Sequence, residues 1–457
     1  MKILLLHAPS KIKISRTDRC QVDTKDFTVG MRFPPINLMY LGAISKREGH
    51  ETTIIDAPFE GVSERRCIEV LDQGFDYVVS NLSLQTLEDD LYILKQAKQR
   101  GVKTISFGYI STIDDTELIK RYPFIDYIIR GEPEITFEEI LKGVPLEKIK
   151  GITAPNGNGI IRNDDREFNN DLDSLPFPSR DLIKNDIYRD PASGKPFTTI
   201  QASRGCNFKC TFCLSRMLNG EKIRYSSVDN VVNEIQSCIT DFNISRFFFR
   251  GDTFTADKRW IMNLCREIIK RGLKITWYSN SRVNTIDREM AEAMKEAGCK
   301  VITYGIESGN DEILRYIKKD ITKEQALKAI SLTKEAGILT WTCYILGLPR
   351  DNEETIEETI RFSKEIDSDL LDYHRFLPFR GTEAYEQEQC KIEPSILNNM
   401  INKAYTGYYL RPRIMLRQIN TFFLKADSIS DFLGICRTGG MVMKRLIGRY
   451  INIKGRG

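Results

Sequence analysis

The sequence predicts an α/β protein. A doubly wound, Rossmann-like sheet comes first, a second series of strand–helix units follows, and a small, mostly helical region ends the chain. Short apolar runs alternate with amphipathic segments in residues 1–145, and the alternation resumes in residues 197–385. This pattern is typical of parallel sheets covered by helices, which bind ligands at the carboxyl ends of their strands.

Five apolar runs predict the strands of the first sheet, with helices between them at segments such as 38–47 and 87–99. The predicted strands are residues 3–6, 53–55, 77–79, 104–107 and 127–129. Residues 146–196 are rich in Gly, Asn, Asp and Pro, which predicts a linker between two domains.

Six further units of strand and helix follow the linker. Their strands are predicted at residues 197–202, 246–249, 274–279, 301–305, 339–346 and 370–377, with helices such as 228–238 and 356–365 between them. Polar residues recur just after these strands, where the ligands of parallel sheets bind.

Composition places the chain among globular proteins. It has 457 residues, 41% hydrophobic and 28% charged, which is enough for two or three domains with ample cores. Eleven cysteines at irregular spacings, no apolar run of transmembrane length and no signal-like start predict a reducing, cytoplasmic location.

The strongest motif is the C-x3-C-x2-C spacing of Cys206, Cys210 and Cys213, directly after an apolar run. Three soft thiolates in one loop suit an iron–sulfur cluster or zinc better than a disulfide framework. Closed zinc sites usually have four ligands, whereas a cluster with three protein ligands leaves one iron open to a small molecule. The alternative is a set of scattered, reduced thiols.

This spacing, with Phe212 just before the last cysteine, resembles the signature of the radical S-adenosylmethionine (SAM) superfamily. The resemblance implies a [4Fe–4S] cluster on the three cysteines and SAM on the open iron through its amino and carboxylate groups. One electron would then cleave SAM to methionine and a 5′-deoxyadenosyl radical. It also implies that the six units form a partial, TIM-like (β/α)6 barrel.

Motifs after the second and third strands extend the resemblance. Gly251 and Asp252 resemble an acidic variant of the family's Gly-Gly-Glu motif, in which Asp252 would accept hydrogen bonds from the SAM amino group. Ser279 and Arg282 follow the third strand, and Arg282 would suit the SAM carboxylate.

Later strands supply the remaining landmarks. Glu307 would bind the ribose hydroxyls by analogy, and Leu346 and Gly347 would flank the adenine. Each residue alone could equally be a turn, a cap or a surface ion pair. Their order along the chain favours SAM binding.

The N-terminal third resembles the cobalamin-binding domain that precedes many radical SAM cores, in the stretches that begin at Pro34 and Asp126 and in the loop at Ser80. The resemblance implies that Ser80, Ser83 and Gly108 lie near the nucleotide tail of cobalamin.

Two departures qualify the cobalamin prediction. No D-x-H-x-x-G motif is present, and neither His7 nor His50 has the context of a cobalt ligand. Tyr109 follows Gly108 where the family usually has a second glycine, which adds bulk and restricts φ. A domain that keeps the fold without the cofactor is the alternative.

Two weaker features have two interpretations each. His374 could donate a proton in the barrel mouth or be a hydrogen-bonded core or rim residue, which we favour. Tyr278, Tyr304 and Tyr344 could line the pocket or simply pack.

The C-terminal region, residues 386–457, is basic. Residues 391–457 hold 12 Lys and Arg against 3 Asp and Glu, mixed with apolar residues at spacings compatible with amphipathic helices. Such helices could lie on an anionic membrane surface or form the rim of a helical cap on the barrel. No nucleic-acid-binding module accompanies the charge, so we expect no nucleic-acid partner.

The sequence therefore predicts a radical SAM enzyme with a cobalamin-type domain that methylates an unactivated carbon. The alternative is a radical rearrangement, cyclisation or carbon–carbon coupling on a lipid or isoprenoid, and a third class is a non-catalytic sensor. The expected partners are a small-molecule substrate, which could be a lipid, and an electron donor such as flavodoxin or ferredoxin, with peripheral membrane contact through the C-terminal region.

Overall fold

The computed structural model describes residues 1–16, 21–23, 31–157 and 159–418. The strands of this part of the chain are β1 (Lys2–His7), β2 (Ile14–Arg16), β3 (Gln21–Asp23), β4 (Glu51–Asp56), β5 (Tyr77–Asn81), β6 (Lys103–Phe107), β7 (Tyr127–Ile129), β8 (Ile152–Asn156), β9 (Gly159–Arg162), β10 (Thr198–Gln201), β11 (Ser203–Arg204), β12 (Arg224–Tyr225), β13 (Arg246–Arg250), β14 (Thr276–Ser281), β15 (Cys299–Glu307), β16 (Leu339–Leu346) and β17 (Leu370–Arg375).

The helices alternate with these strands. The α-helices are α1 (Ile36–Arg47), α2 (Ala57–Glu60), α3 (Glu64–Leu71), α4 (Leu87–Gln99), α5 (Tyr109–Ile113), α6 (Asp115–Arg121), α7 (Pro133–Leu141), α8 (Ser215–Asn219), α9 (Val228–Phe242), α10 (Lys258–Lys270), α11 (Arg288–Glu296), α12 (Asp311–Tyr316), α13 (Lys323–Glu335), α14 (Glu353–Ile366), α15 (Glu383–Glu386), α16 (Pro394–Tyr409) and α17 (Pro412–Gln418). Short 3-10 helices lie at Leu84–Thr86, Leu146–Lys148, Leu172–Ser174, Arg180–Leu182, Asn185–Ile187 and Phe254–Ala256.

The first sheet has the strand order β4-β1-β5-β6-β7-β8-β9. The pairs from β4 to β7 are parallel, and two apolar layers cover the faces of the sheet. All five strands predicted for this sheet are present, so the predicted doubly wound fold is confirmed. The strands read as continuous apolar runs because both of their faces are buried.

An antiparallel pair, β8 and β9, extends the first sheet beyond β7. Both strands fall within residues 146–196, the segment predicted to be a linker. Antiparallel strands need only a tight turn between them. The Gly and Asn residues that suggested an irregular segment instead lie at the turn of a hairpin. We propose that the linker begins after residue 162 rather than at residue 146.

The second sheet has the order β10-β13-β14-β15-β16-β17, with every pair parallel. This confirms the predicted partial (β/α)6 barrel. Its helices begin where side chains accept hydrogen bonds from the first free backbone N–H groups. These caps are Ser227, Asp257, Asp287, Thr322 and Asn352.

The amino end of the barrel is closed by an apolar cluster that includes Met31 from the N-terminal third. Phe33 joins it and lies edge-on to Phe197 and Phe248, with ring centroids 5.9 and 5.1 Å apart. Aromatic pairs at this spacing and angle are favourable. The open end of the barrel is therefore the carboxyl end of its strands.

Helix α16 covers the edge strand of the barrel. The hydroxyl of Tyr409 accepts from the backbone N–H of Leu371 and donates to its carbonyl, at 2.9 and 2.8 Å. The hydroxyl of Tyr405 accepts in the same way from Tyr373, at 2.9 Å. An uncovered edge strand exposes unpaired backbone groups. The hydroxyls of these tyrosines bond those groups on β17, as the backbone of a further strand would.

The described part of the C-terminal region is thus a cap on the barrel, as one of the two interpretations predicted. Residues 419–457 lie outside the described residues, and with them most of the predicted basic amphipathic segments. No helix in the described ranges is long and apolar enough to cross a bilayer.

Candidate functional site

The three cysteines lie in a loop between β11 and α8. Just before Cys206 the chain turns at Gly205, whose φ is +91°. A Cβ atom there would lie 2.0 Å from the carbonyl oxygen of Lys222, so only glycine fits. The loop therefore leaves the short β11–β12 ribbon along a path that the backbone itself imposes.

Asp252 holds both ends of this segment. Its Oδ2 accepts from the backbone N–H of Gly205 at 2.7 Å and from Nδ2 of Asn219 at 3.1 Å. Its neighbour Gly251 is a close approach, since a Cβ there would lie 2.3 Å from Oγ of Ser203. Asp252, predicted from the sequence to bind SAM, thus also positions the cysteine loop.

Arg282 lies against the loop rather than in open space. Its guanidinium group stacks 3.7 Å from the ring centroid of Phe208, and its Nη1 donates to Sγ of Cys210 at 3.3 Å. Cys206 is buried and contacts Oγ1 of Thr253 at 3.5 Å. Sequence reasoning missed Phe208, because the residues between the three cysteines of the motif carry no sequence signal of their own.

Glu307 ends β15 with a φ of +71°, a left-handed conformation that is uncommon for residues other than glycine. Its Oε1 accepts from Nζ of Lys319 at 2.7 Å, and both side chains are buried. The carbonyl of Lys319 in turn accepts from Nη2 of Arg282. A continuous chain of contacts therefore joins the cysteine loop to the residue predicted to bind ribose.

Gly347 begins the turn after β16, with a φ of +83°. Oδ2 of Asp351 accepts from the backbone N–H groups of Gly347 and Leu348, at 3.0 and 2.9 Å. Burial raises the pKa of Asp351 to about 6. Phe212 of the cysteine loop packs beside this turn, in a cluster that includes Leu348 and Ile345.

Two residues predicted to bind SAM, Ser279 and Leu346, lie on the outward face of their strands. Ser279 pairs in register with Phe249, and Leu346 belongs to the same apolar core as Phe249, between the strands and the outer helices. Side chains alternate between the two faces of a strand, so Asn280 and Ile345 face the barrel interior instead. The side chains of Ser279 and Leu346 therefore do not point toward a ligand in the barrel.

The tyrosines on the barrel strands do not line the pocket. Tyr304 and Tyr344 pack in the outer core, and Tyr278 lies in the cluster at the amino end, where its hydroxyl donates to Asp190 at 2.8 Å. This favours the packing interpretation for all three residues.

The inward face near the carboxyl ends is polar, and several of its residues are only half-buried. Its members, inferred from strand register, are Gln201, Arg250, Asn280, Thr303, Cys343, Asp372 and His374. Outward-facing neighbours on the same strands are fully buried, which shows that the interior is the accessible side. Sequence reasoning identified His374 alone of this set, because phase within a strand is unknown without its neighbours.

The first sheet presents its own carboxyl edge. Ser80 is the last but one residue of the fully buried β5, and its Oγ is buried without a hydrogen-bond partner in the described ranges. The backbone N–H of Ser83 donates to Asp90 at 3.3 Å. Gly108, after β6, has a φ of +98°, and a Cβ there would lie 2.3 Å from Oδ1 of Asn81. The structure thus brings all three predicted residues to one edge.

Buried polar pairs fill the rest of this edge. Asp56 contacts Nδ1 of His7 at 3.3 Å and accepts from the hydroxyl of Tyr188 at 2.6 Å. Arg16 pairs with both carboxylate oxygens of Asp90 at 2.8 Å. Burial lowers the pKa of His7, so the neutral imidazole is favoured there.

Tyr109 joins the two sheets. It is buried, lies edge-on to Phe379 at 5.3 Å and donates to the carbonyl of Arg380 at 3.0 Å. Two leucines of helix α8 and its N-cap, Leu218 and Leu214, pack in the same apolar cluster as Tyr109. The Tyr109 side chain, which stands where the family usually has a glycine, therefore packs at the interface between the two domains.

A buried ion network crosses the same interface. Arg204 and Arg224 stand opposite each other on β11 and β12, two like charges in register. The two carboxylate oxygens of Glu132 accept from Nη2 and Nη1 of Arg224, at 2.7 and 3.0 Å. Glu134 forms an ion pair with Arg204 at 2.6 Å. The segment after β7 thus neutralises the ribbon that carries the cysteine loop.

The other thiols differ from the cysteine loop. Burial raises the pKa of Cys67, Cys238 and Cys265 to about 12, which disfavours their thiolates. Within the described ranges no group of three or more His, Cys, Asp or Glu side chains converges as ligands of one metal ion. A four-iron cluster imposes a different geometry, because each cysteine binds its own iron.

Two family models match this chain. The model of the radical SAM superfamily matches residues 200–363. The model of the B12 binding domain matches residues 26–141. The B12 range contains strands β4 to β7 of the first sheet, and the radical SAM range runs from β10 to β16 of the second.

Curated relatives agree with these models. An uncharacterized methyltransferase of Pyrococcus horikoshii is 32% identical over 450 residues, which cover 92% of this chain and 95% of the relative. An anaerobic magnesium-protoporphyrin IX monomethyl ester cyclase of Cereibacter sphaeroides is 27% identical over 379 residues, which cover 79% of this chain and 61% of the relative.

A solved structure shares the whole architecture. It is the cobalamin-dependent S-adenosylmethionine radical enzyme OxsB, solved with aqua-cobalamin and S-adenosylmethionine bound. The match has a TM-score of 0.70 with 16% identity and covers 98% of this chain and 79% of that one. At this identity the likeness shows the fold.

Proposed function

This chain belongs to the radical SAM superfamily and carries a B12-binding domain, and from that premise we propose that it is a cobalamin-dependent methyltransferase acting on an unactivated carbon. One observation carries the proposal. The cysteine loop of the barrel and the carboxyl edge of the first sheet are held together by α8, Tyr109 and a buried ion network. Two ligand-binding edges joined in this way suit a reaction that uses two cofactors at once.

Cys206, Cys210 and Cys213 would hold a [4Fe–4S] cluster. Their chemistry fits: three thiols lie in one loop, and Arg282 supplies an N–H donor to the sulfur of Cys210. Hydrogen bonds to cluster sulfurs are a usual part of such sites.

SAM would lie between this loop and the inward face of the barrel. Oδ1 of Asn280 is buried on a barrel strand and has no partner in the described ranges. Buried polar atoms normally have partners, so this one suits a polar ligand. Asp252, Glu307 and the Gly347 turn complete the rim of the proposed site.

Cobalamin would bind at the edge of the first sheet. The unpartnered hydroxyl of Ser80 fits a polar group of the ligand, and Gly108 brings the backbone after β6 close to the side chain of Asn81 at the same edge. When bound, these three groups supply one-electron reduction, a radical that takes hydrogen from carbon, and a transferable methyl group. The chain itself orients them through Asp252 and the ion network, and the apolar cluster around Tyr109 excludes water from the interface.

The test is anaerobic purification with cluster reconstitution and added hydroxocobalamin, followed by desalting, iron counting and a visible spectrum. We expect about four irons and one corrinoid per chain. Formation of S-adenosylhomocysteine from labelled SAM would then identify methyl transfer. A chain that holds no cluster with all three cysteines intact contradicts the proposal.

The second candidate is a radical rearrangement, ring closure or carbon–carbon coupling, on a lipid or isoprenoid, without methyl transfer. Tyr109 supports it, because this residue stands where the family usually has a second glycine, and its side chain packs against Phe379 and Arg380. One curated relative is named as a cyclase. Four irons without corrinoid, and SAM cleavage without S-adenosylhomocysteine, would favour this candidate.

We further propose a cytoplasmic enzyme that takes electrons from flavodoxin or ferredoxin and a small-molecule substrate, which could be a lipid, in the barrel. Helix α17 supports peripheral membrane contact, since Arg413, Met415 and Leu416 are exposed on it. Co-sedimentation of the full chain with anionic but not neutral vesicles is the expected result, and equal recovery with both would contradict it.

A further inference from the structure

Arg282 is fixed against the cysteine loop by two contacts from one short segment. The face of its guanidinium group lies 3.7 Å from the ring centroid of Phe208. Its Nη1 donates to Sγ of Cys210 at 3.3 Å. Because Phe208 lies two residues before Cys210, a change in the loop would move both contacts together.

The other nitrogen atoms of Arg282 are engaged away from the loop. Nε donates to Oδ1 of Asn284 at 3.3 Å, and Nη2 donates to the carbonyl of Lys319. The side chain is only 6% exposed. A planar fork held at all three nitrogens keeps its charge at one place. The fold therefore sets the distance between this charge and the sulfur of Cys210 before any ligand binds.

We propose that Arg282 is a positioning residue that raises the reduction potential of the cluster through its bond to Cys210. The inference rests on the proposed function, because it requires the cluster. In the redox step the cluster gains one electron from a one-electron donor, and its cysteine sulfurs share the added negative charge. A charge-assisted N–H···S bond stabilises the reduced state more than the oxidised state.

This role differs from the SAM-carboxylate contact that the sequence suggests, and the two can be separated. A carboxylate contact changes the affinity for SAM and leaves the SAM-free cluster unaffected. The bond to Cys210 changes the potential before SAM is added.

The variants are R282Q, which removes the charge, and R282K, which keeps a charge without the planar fork. R411Q is the matched control, because Arg411 also stacks on an aromatic ring, 4.3 Å from the centroid of Tyr408, but on the C-terminal cap. Each full-length chain is reconstituted anaerobically, its iron is counted, and it is titrated with dithionite in the absence of SAM. Electron paramagnetic resonance reports the reduced cluster.

We expect the ratio of reduced to oxidised cluster at a fixed potential to fall about tenfold in R282Q, which corresponds to a midpoint about 59 mV lower. R282K should show a smaller fall, and R411Q should match the wild type. A merely structural role for Arg282 would lower the iron content but would not shift the potential of the clusters that remain.

R282Q with full iron and a wild-type potential overturns the inference, and a loss of SAM affinity in that variant would assign Arg282 to SAM alone. If R282Q holds no cluster, R282K decides: a lowered potential supports the inference, and a wild-type potential overturns it. If the wild type holds no cluster, the proposed function itself fails.

Discussion

The carboxyl edges of the two parallel sheets obtain their polar partners from different sources. On the first sheet, distant segments supply them: Tyr188 from the connecting segment reaches Asp56, and Arg16 from the β2–β3 ribbon reaches Asp90. On the barrel, the polar groups come from the ends of the strands themselves, such as Glu307, which ends β15, and Arg282, which directly follows β14. The first edge is largely closed by its own pairs, whereas the barrel keeps an accessible, polar inner face.

The difference shows which edge can accept a ligand at little internal cost. A ligand in the barrel can bond buried atoms that have no partner in the described ranges, such as Oδ1 of Asn280. A ligand at the first edge finds such atoms at Oγ of Ser80 and Nε2 of His7 and must otherwise fit around buried ion pairs. Breaking those pairs would leave charges buried, which is unfavourable.

The largest expected effect comes from breaking the barrel edge at its cysteine loop. Cys213→Ser should abolish the cluster and all reductive SAM cleavage, because a hydroxyl is a poor iron ligand. Cys238→Ser is the control, since that thiol is buried in the core. The readouts are iron content and deoxyadenosine formation. Full iron in the Cys213 variant would contradict the proposed cluster.

The next effect comes from separating the two edges. Glu132→Gln leaves Arg204 and Arg224 facing each other with half of their neutralising charge, and should cost about 3–5 kcal/mol of unfolding free energy. Glu69→Gln, on an exposed helical pair, should cost no more than about 0.5 kcal/mol. Urea unfolding of both variants measures these changes in free energy. Equal losses of stability in the two variants would show that the buried ion network does not hold the two domains together.

A smaller effect comes from opening the first edge. Asp56→Asn turns an acceptor for Tyr188 and His7 into an amide, and should cost about 1–3 kcal/mol. Asp72→Asn, which weakens an exposed pair with Arg100, is the control. We expect SAM cleavage by the Asp56 variant to stay near the wild-type rate, because neither partner lies in the barrel: His7 ends a strand of the first sheet and Tyr188 belongs to the connecting segment. A large loss of cleavage would show that the two edges are more strongly coupled.

The smallest expected effect is a pH dependence of the unfolding free energy that comes from Asp351, beside the Gly347 turn of the barrel. Burial raises its pKa from 3.8 to about 6, so the folded protein holds this proton more tightly than the unfolded chain. The stability that the proton contributes is present at low pH and is lost as the pH rises through about 6. Relative to Asp351→Asn, the wild type should lose about 1 kcal/mol between about pH 5 and about pH 7. A difference that does not change with pH in urea unfolding would contradict this.

The fold was largely predictable from the chain. Every strand predicted in the two parallel sheets is present, because strands buried on both faces read as continuous apolar runs. The hairpin β8–β9 was missed, since its residues are half-exposed and rich in turn formers. The site was predictable where a motif is contiguous, as at the cysteine loop and at Asp252 and Arg282.

What the sequence could not supply was the orientation and the partner of each side chain. A shift of one residue along a strand reverses the face, so Ser279 and Leu346 were chosen where Asn280 and Ile345 face inward. Phe208 and Lys319 entered the site only through their contacts with Arg282.

The order of the domains, the strands, the cysteine loop and the family could be read from the chain, because each depends on residues that are near one another in it. Only the folded protein shows that Glu132 and Glu134 neutralise Arg204 and Arg224, that Tyr109 joins the domains, and that tyrosines of α16 cover the barrel edge. Such contacts join segments up to 271 residues apart. Their energies depend on burial and on exact partners, which only the packed chain defines.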